Sequence, residues 1–334
     1  MSRVLKASEG PLIEGFDLVM FDLDGVVYVG DGPVAHAAEA IAEVRGGNTS
    51  VAYITNNASR PPADVVDKLE RVGVVATPDE VVTSAQAVAH LLVNDFGTGS
   101  RVAVLGGSGL KEALSAEGLQ VCGVQEDDVV AMVSGYGPDV SWGDIMHAAV
   151  RIREGLPYYA SNADRTIPTA FGVAPGHGVL VDLLRKFGEA EAKIAGKPAR
   201  PLFDETLERI ASHRPLMVGD RLDTDIQGAV QAEIPSLLVL TGVTGITELL
   251  TAGPGERPTY LAVDLRGLLD SHPHVEREGE AFRVRGWSAQ VTQGRLVVTG
   301  RGAADDWWRA AAEAGWAHLD ASGEPAAFDG SVPT

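Results

Sequence analysis

Two short apolar runs, Leu18–Phe21 and residues 51–54, each close on a polar residue, Asp22 and Thr55, with a helical pattern between them. Apolar runs of this length beside helical patterns read as strands buried on both faces, which implies a parallel sheet covered by helices. Between the runs, Val34, Ala37, Ala38, Ile41 and Val44 fall on one helical face. Pro33 is expected to open that helix and Gly46 with Gly47 to close it. The chain therefore starts with a βαβ unit, whose crossover is right-handed and whose strands end on the same edge of the sheet.

The alternation continues with a helix over 61–72, ended by Gly73, and another from Thr83 or Ser84 towards Val93. After the glycines at 97 and 99 come strands over 102–105, 129–133 and 158–160 and helices over 110–116, 142–153 and 179–187, which together read as a compact α/β insert. The first pattern then resumes, with strands near 192–194 and over 216–218, 237–240 and 260–263, and helices over 202–212 and 225–232. The expected fold is α/β: a doubly wound parallel sheet, interrupted by the insert and then completed. From about Ser271 the character changes to two strands, 282–285 and 295–298, and an Ala-rich helix over 305–314 carrying Trp307 and Trp308. The expected segments are 1–84 with 190–270 as the core, 85–189 as the insert and 271–334 as a small α+β accessory module.

Charge narrows the partners. The 334 residues carry 27 basic against 46 acidic groups, a formal charge of −19. Such a chain should repel a phosphate backbone or an anionic membrane surface, so neither nucleic acid nor membrane is an expected partner. A phosphorylated ligand must instead meet a metal, a lysine or backbone amides. Cys122 is the sole cysteine, which excludes an internal disulfide and a Cys-rich zinc site and fits a reducing compartment. No stretch approaches the ~18 apolar residues of a membrane span, and the cytoplasm is the expected location.

Four groups stand just past expected strand ends, where a doubly wound sheet gathers its ligands. They are the pair Asp22 and Asp24, then Thr55, Lys197 in Gly196-Lys197-Pro198, and Asp220 after Gly219. Carboxylates with one lysine and one hydroxyl are what phosphoryl transfer to an aspartate requires. Asp22 would attack phosphorus, a divalent cation would offset the repulsion between carboxylate and phosphate, and Lys197 with loop amides would hold the equatorial oxygens.

These stretches resemble the motifs of the haloacid dehalogenase superfamily, in particular its large-capped phosphatases acting on 4-nitrophenyl phosphate, phosphoglycolate, glycerol phosphate and pyridoxal phosphate. Asp22-Leu23-Asp24-Gly25-Val26 matches the first motif, Thr55 with Asn56-Asn57 the second, Lys197 the third, and Gly219-Asp220 with Thr224-Asp225 the fourth; Thr241 to Thr244 matches a family turn. The resemblance implies Asp22 as nucleophile and Asp24 as general acid and base. It also implies Mg2+ held by Asp22, the Asp24 carbonyl and Asp220, with Asp225 behind those ligands. Asn56 and Asn57, with Asn162, Asp164 and His177 of two insert loops, are expected near the substrate. Thr55 and Lys197 are 142 positions apart, which leaves room for the cap that such enzymes close over the site. Asp24 argues against carbon–halogen chemistry, which needs no acid there, and its first role requires it to reach the reaction protonated.

The implied function is Mg2+-dependent hydrolysis of a small phosphorylated metabolite, glycerol 3-phosphate or 2-phosphoglycolate, through an aspartyl phosphate. A nucleotide or pyridoxal phosphate phosphatase, or a non-catalytic phosphometabolite-binding regulator, are the alternatives. Gly106 to Gly109 reads as a strand-to-helix turn and not a dinucleotide loop. His272 and His274 read as linker residues, and Trp307 and Trp308 as packing. The accessory module is expected to support a homodimer or the cap.

Overall fold

The computed structural model describes residues 4–169 and 171–333. The chain forms two compact units, Met1–Ala52 with Arg71–Val75 and Ile210–Thr334, and Tyr53–Glu70 with Ala76–Arg209.

In the first unit the strands Tyr260–Ala262, Ser236–Val239, Pro215–Gly219 and Leu18–Phe21 lie side by side in that order, all parallel. Leu18 is in register with Pro215 and Phe21 with Val218. All four residues of Leu18–Phe21 are buried, as a strand covered on both faces requires. The strand Ser50–Thr55 starts in this unit, where the Ser50 amide donates to the Asp17 carbonyl at 2.9 Å. The parallel α/β class is as expected. The first helix, however, is Ala37–Gly46, and Pro33 sits in the two-residue strand Gly32–Pro33. His36, at φ 64, separates the two, so the chain turns before the helix can begin. The helix expected over 225–232 likewise starts earlier, as a π-helical turn, Leu222–Ile226, running into Gln227–Gln231. Inserted turns of this kind cluster at functional sites.

The C-terminal stretch belongs to the same unit. Four antiparallel strands, Glu276–Glu278, Ala281–Val284, Trp287–Thr292 and Arg295–Gly300, form a meander. The helix Ala304–Ser322 packs against it and, on another side, against the Ile246–Thr251 helix and the Tyr260–Ala262 strand. Trp307, Trp308 and Trp316 are all buried there. The first two meet edge to face at 5.1 Å, and Trp316 Nε1 donates to the Leu249 carbonyl at 2.8 Å. A Cβ added at Gly315 would lie 2.2 Å from Leu250 Cδ2, so glycine sets how closely these helices approach. The tryptophans pack, as read from the sequence. His272 is also structural: its Nε2 lies 2.7 Å from the Gly267 carbonyl and its ring stands edge-on to Tyr260.

The second unit is built on a five-stranded parallel sheet in the order Ala192–Ile194, Tyr158–Ala160, Ala131–Ser134, Arg101–Leu105, Gln120–Cys122. Residues 192–194, read from the sequence as the return of the first pattern, pair with Tyr158–Ala160 and so form the edge of the insert sheet. A three-residue run carries too little periodicity to say which sheet it joins. Ala148, Ala149 and Ile152 of one helix and Val181 and Leu184 of another are buried in this unit's core. Thr83 caps the helix Ser84–Phe96 through a reciprocal pair with Gln86. Gly106 and Gly107 join a strand to a helix, as expected.

Candidate active site

Within the first unit, Leu18–Phe21 and Pro215–Gly219 are adjacent parallel strands, so the residues that follow them, Asp22 and Asp220, emerge side by side. The Asp22 amide donates to the Val218 carbonyl at 2.9 Å, which continues the ladder to the point of departure. Asp22, Asp220 and Asp225 are all buried, and one carboxylate oxygen from each lies within 4.8 Å of the others. Asp24, two residues on, is exposed.

The turn over 241–244 wraps Asp220. Val243 donates its amide to Asp220 Oδ2 at 2.7 Å, and Thr244 Oγ1 donates to the Asp220 carbonyl at 2.6 Å. Thr241 Oγ1 reaches the Gly25 carbonyl at 2.6 Å, tying this turn to the loop that carries Asp24. The glycines leave room for carboxylates: a Cβ at Gly242 would sit 2.0 Å from Asp220 Oδ2, one at Gly25 2.4 Å from it, and one at Gly219 2.2 Å from Asp225 Cβ. Gly25 also holds φ +91, a conformation L side chains rarely adopt. The Arg221 amide donates to Asp225 Oδ2 at 3.1 Å and orients that carboxylate.

Three buried carboxylates sharing one small volume repel one another unless a cation neutralises them. An all-oxygen donor set from aspartates suits a hard divalent ion such as Mg2+, which favours few carboxylates and retains waters. The residues present therefore fit Mg2+. Asp22, Asp220 and Asp225 would hold it, with Asp225 belonging to the same 4.8 Å group as the other two.

The second unit brings its own share of the sequence-derived residues together. Asn56 Oδ1 accepts the Lys197 amide at 2.8 Å, while Asn56 Nδ2 donates to the Lys197 carbonyl at 2.9 Å and to Asp164 Oδ1 at 2.8 Å. Asn162 Nδ2 donates to the Asn56 carbonyl at 2.7 Å. The Asn57 amide donates to Thr55 Oγ1 at 3.1 Å, and Lys197 Nζ reaches the Ile54 carbonyl at 3.4 Å. Thr55, Asn56, Asn162 and Lys197 are buried, whereas Asn57 is exposed.

His177 lies one bond further back. Its Nδ1 is 2.9 Å from the Asn162 carbonyl and its Nε2 is 3.0 Å from Ser134 Oγ, which in turn is 2.7 Å from Tyr158 Oη. Burial pushes the imidazole down to about 4, with the bond to Asn162 opposing the shift, so the ring is neutral at pH 7. A carbonyl only accepts, so the proton sits on Nδ1 and Ser134 donates to Nε2. The chain of donors then runs Tyr158, Ser134, His177, Asn162. Burial also raises the Tyr158 phenol, which stays protonated. Sequence reasoning did not find Ser134 or Tyr158, because a serine and a tyrosine at two strand positions carry no motif.

A family model described as haloacid dehalogenase-like hydrolase matches residues 19–120, and a second, HAD-hydrolase-like, matches 194–268. The chain is 39% identical over 291 residues to a D-glycerol 3-phosphate phosphatase of Mycobacterium tuberculosis, covering 87% of this chain and 80% of that one. It is 33% identical over 261 residues to an acid sugar phosphatase of Staphylococcus saprophyticus, covering 77% and 98%. Among solved structures, a glycerol phosphate phosphatase of M. tuberculosis in complex with magnesium superposes with a TM-score of 0.84 at 36% identity, covering 96% of this chain and 94% of that one. A 4-nitrophenylphosphatase of Thermotoga maritima gives 0.71 at 28% identity, covering 77% and 98%.

Proposed function

The chain belongs to the haloacid dehalogenase-like hydrolases and is a Mg2+-dependent phosphatase of small phosphorylated metabolites, and from that premise we propose its substrate and the roles of its residues. The substrate is glycerol 3-phosphate, supported by the identity to the D-glycerol 3-phosphate phosphatase. 2-Phosphoglycolate stands next, and nucleotides or pyridoxal phosphate are the alternatives of the same chemistry. A non-catalytic regulator is disfavoured because every motif position carries the reactive residue.

The observation that carries the reaction is the group of three buried carboxylates within 4.8 Å at the ends of paired strands. A divalent cation held by these carboxylates would offset the repulsion between the attacking carboxylate and the phosphate dianion. An Asp22 oxygen attacks phosphorus and the phosphorus–alkoxide bond breaks, leaving an aspartyl phosphate. Asp24 gives its proton to the departing alcohol; it then takes one from the water that attacks the phosphoenzyme, and inorganic phosphate leaves. Thr55 and Lys197 hold phosphoryl oxygens, and Asp225 would hold the cation together with Asp22 and Asp220. Asn57 contributes to substrate binding directly, and Asn56, Asn162, Asp164 and His177 through the network that fixes their loops. Residues 85–189 act as the cap that selects the leaving group. The charge of −19 argues against nucleic acid or an anionic membrane as partner, the single cysteine fits a reducing, cytoplasmic setting, and among the described residues no helix is long and apolar enough to cross a membrane.

Phosphate release from a metabolite panel in the presence of Mg2+ tests the substrate. Asp22→Asn should abolish turnover. Asp24→Asn should slow glycerol 3-phosphate far more than 4-nitrophenyl phosphate, whose leaving group needs no proton. Full activity of Asp22→Asn, or no phosphate from any panel member, would refute the scheme.

A further inference from the structure

In the second unit, the loop over 162–164 is seated on the first turn of the helix His177–Gly188. The seat is main chain against main chain. A Cβ at Gly176 would lie 2.3 Å from the Asp164 carbonyl oxygen, and one at Gly178 2.2 Å from that of Ala163, so neither position has room for a side chain. The Gly178 amide donates to the Asp164 carbonyl at 2.8 Å, and the Gly176 amide to the Arg165 carbonyl at 2.8 Å. His177, between the two glycines, is the one side chain of the seat, and it is buried. Its Nδ1–H holds the Asn162 carbonyl at 2.9 Å, which fixes the plane of the peptide joining Asn162 to Ala163. Ala163 and Asp164 are themselves half-buried, so part of their surface faces outward.

The far end of this pin is anchored in the sheet. Ser134 Oγ lies 3.0 Å from His177 Nε2 and 2.7 Å from Tyr158 Oη. The two residues sit on adjacent parallel strands, Ala131–Ser134 and Tyr158–Ala160, where Met132 is in register with Tyr158 and Ser134 with Ala160. Neither can drift without opening the ladder. Both are buried, beside a core that holds Ala103, Met132 and Val181. Packing alone does not account for two hydroxyls and an imidazole there, because apolar side chains would fill the space without the cost of desolvating polar groups. Such groups are tolerated when every member of the chain is satisfied.

We propose that Ser134 and Tyr158 are positioning residues for the leaving group: acting through His177, they hold the loop over 162–164 in the shape that fits the alcohol of the substrate. This rests on the phosphatase reading and on the cap role of residues 85–189, and adds to them the buried residues that set selectivity. The phosphoryl side is secured separately, since the Asn56 carboxamide holds the Lys197 main chain at both its polar groups. Loosening the loop therefore weakens selection of the alcohol more than transfer of the phosphoryl group.

Steady-state kinetics with Mg2+ on glycerol 3-phosphate and on 4-nitrophenyl phosphate, whose leaving group offers no hydroxyl to the loop, tests the proposal. The quantity read is the ratio of the two kcat/KM values. Ser134→Ala should lower it about 10-fold, the worth of one well-placed hydrogen bond, chiefly through KM for glycerol 3-phosphate. Tyr158→Phe keeps the packed ring and should lower it about threefold. The double variant should match Ser134→Ala, because Tyr158 acts only through the serine hydroxyl. A merely structural role shrinks the active fraction and so affects both substrates alike. A ratio that stays at the wild-type value would overturn the proposal, and so would a double variant whose loss is the product of the single losses. If Ser134→Ala does not fold, the ratio for Tyr158→Phe decides alone. Failure of the substrate reading shows in the wild-type enzyme instead, as inactivity on glycerol 3-phosphate, and the same ratio is then taken with the best substrate of the metabolite panel. A wild-type enzyme inactive on every substrate removes both the reading and the proposal.

Discussion

Asn56 and Lys197 stand 141 residues apart in the chain and are joined through both ends of one carboxamide, which accepts the Lys197 amide and donates to the Lys197 carbonyl. A backbone segment held at both its polar groups cannot rotate without breaking two buried bonds. The lysine is thus aimed from its main chain, and the same Asn56 side chain reaches Asp164 at 2.8 Å.

Replacing Asn56 by Asp keeps the acceptor but sets an oxygen against the Lys197 carbonyl and the Asp164 carboxylate. Unfolding free energy should fall by about 3 kcal/mol, the range for a buried group left facing like partners. Turnover should fall roughly 100-fold, as a misplaced catalytic group implies. Denaturant titration and steady-state kinetics on the same preparation check both numbers, and wild-type turnover in Asn56→Asp would show that the clamp does not position the lysine.

Gly242→Ala places a methyl group where Asp220 Oδ2 now lies. The carboxylate must move, so Mg2+ affinity measured by calorimetry should drop about 10- to 100-fold, the usual effect of disturbing what orients a metal ligand. Gly253→Ala, where a Cβ meets nothing within 4 Å, is the matched control and should bind Mg2+ like wild type.

His177 is held neutral, its pKa lowered by burial from 6.5 to about 4. The unfolded chain therefore takes up a proton that the native state refuses between those values. This contribution to stability is complete above pH 6.5 and is lost as pH falls towards 4, reaching about 2 kcal/mol at pH 5. His177→Gln removes the titration, so the difference in unfolding free energy between pH 7.5 and pH 5 should shrink by that amount.

Glu313 titrates with the opposite sign. Burial raises its carboxyl from 4.5 to about 7, against the lowering effect of the Leu5 amide, which donates to it, and of Arg257. The native state holds the proton longer than the unfolded chain does. Stability from this group is full below pH 4.5 and is lost as pH rises through 7, about 2 kcal/mol between pH 5 and pH 8. Glu313→Gln keeps an acceptor for Leu5 and cannot ionise, so it should be more stable than wild type at pH 8 and flatter with pH. Thermal melts at both pH values would show whether the ranking holds.

Sequence alone was enough to read the parallel α/β class, the order of the four motif stretches and the aspartates that carry them, because buried strands write continuous apolar runs and reactive groups follow their ends. It also read Trp307 and Trp308 as packing residues. It misplaced Pro33, Ala192–Ile194 and the helix near Asp225, since two or three residues carry no period and a π-turn looks helical in any pattern. Tertiary structure alone decided that Thr241, Val243 and Thr244 secure Gly25 and Asp220, that Asn56 clamps Lys197, and that Ser134 and Tyr158 stand behind His177. These are contacts between segments far apart in the chain, and side-chain spacing encodes which face a residue takes, not which distant group will meet it there.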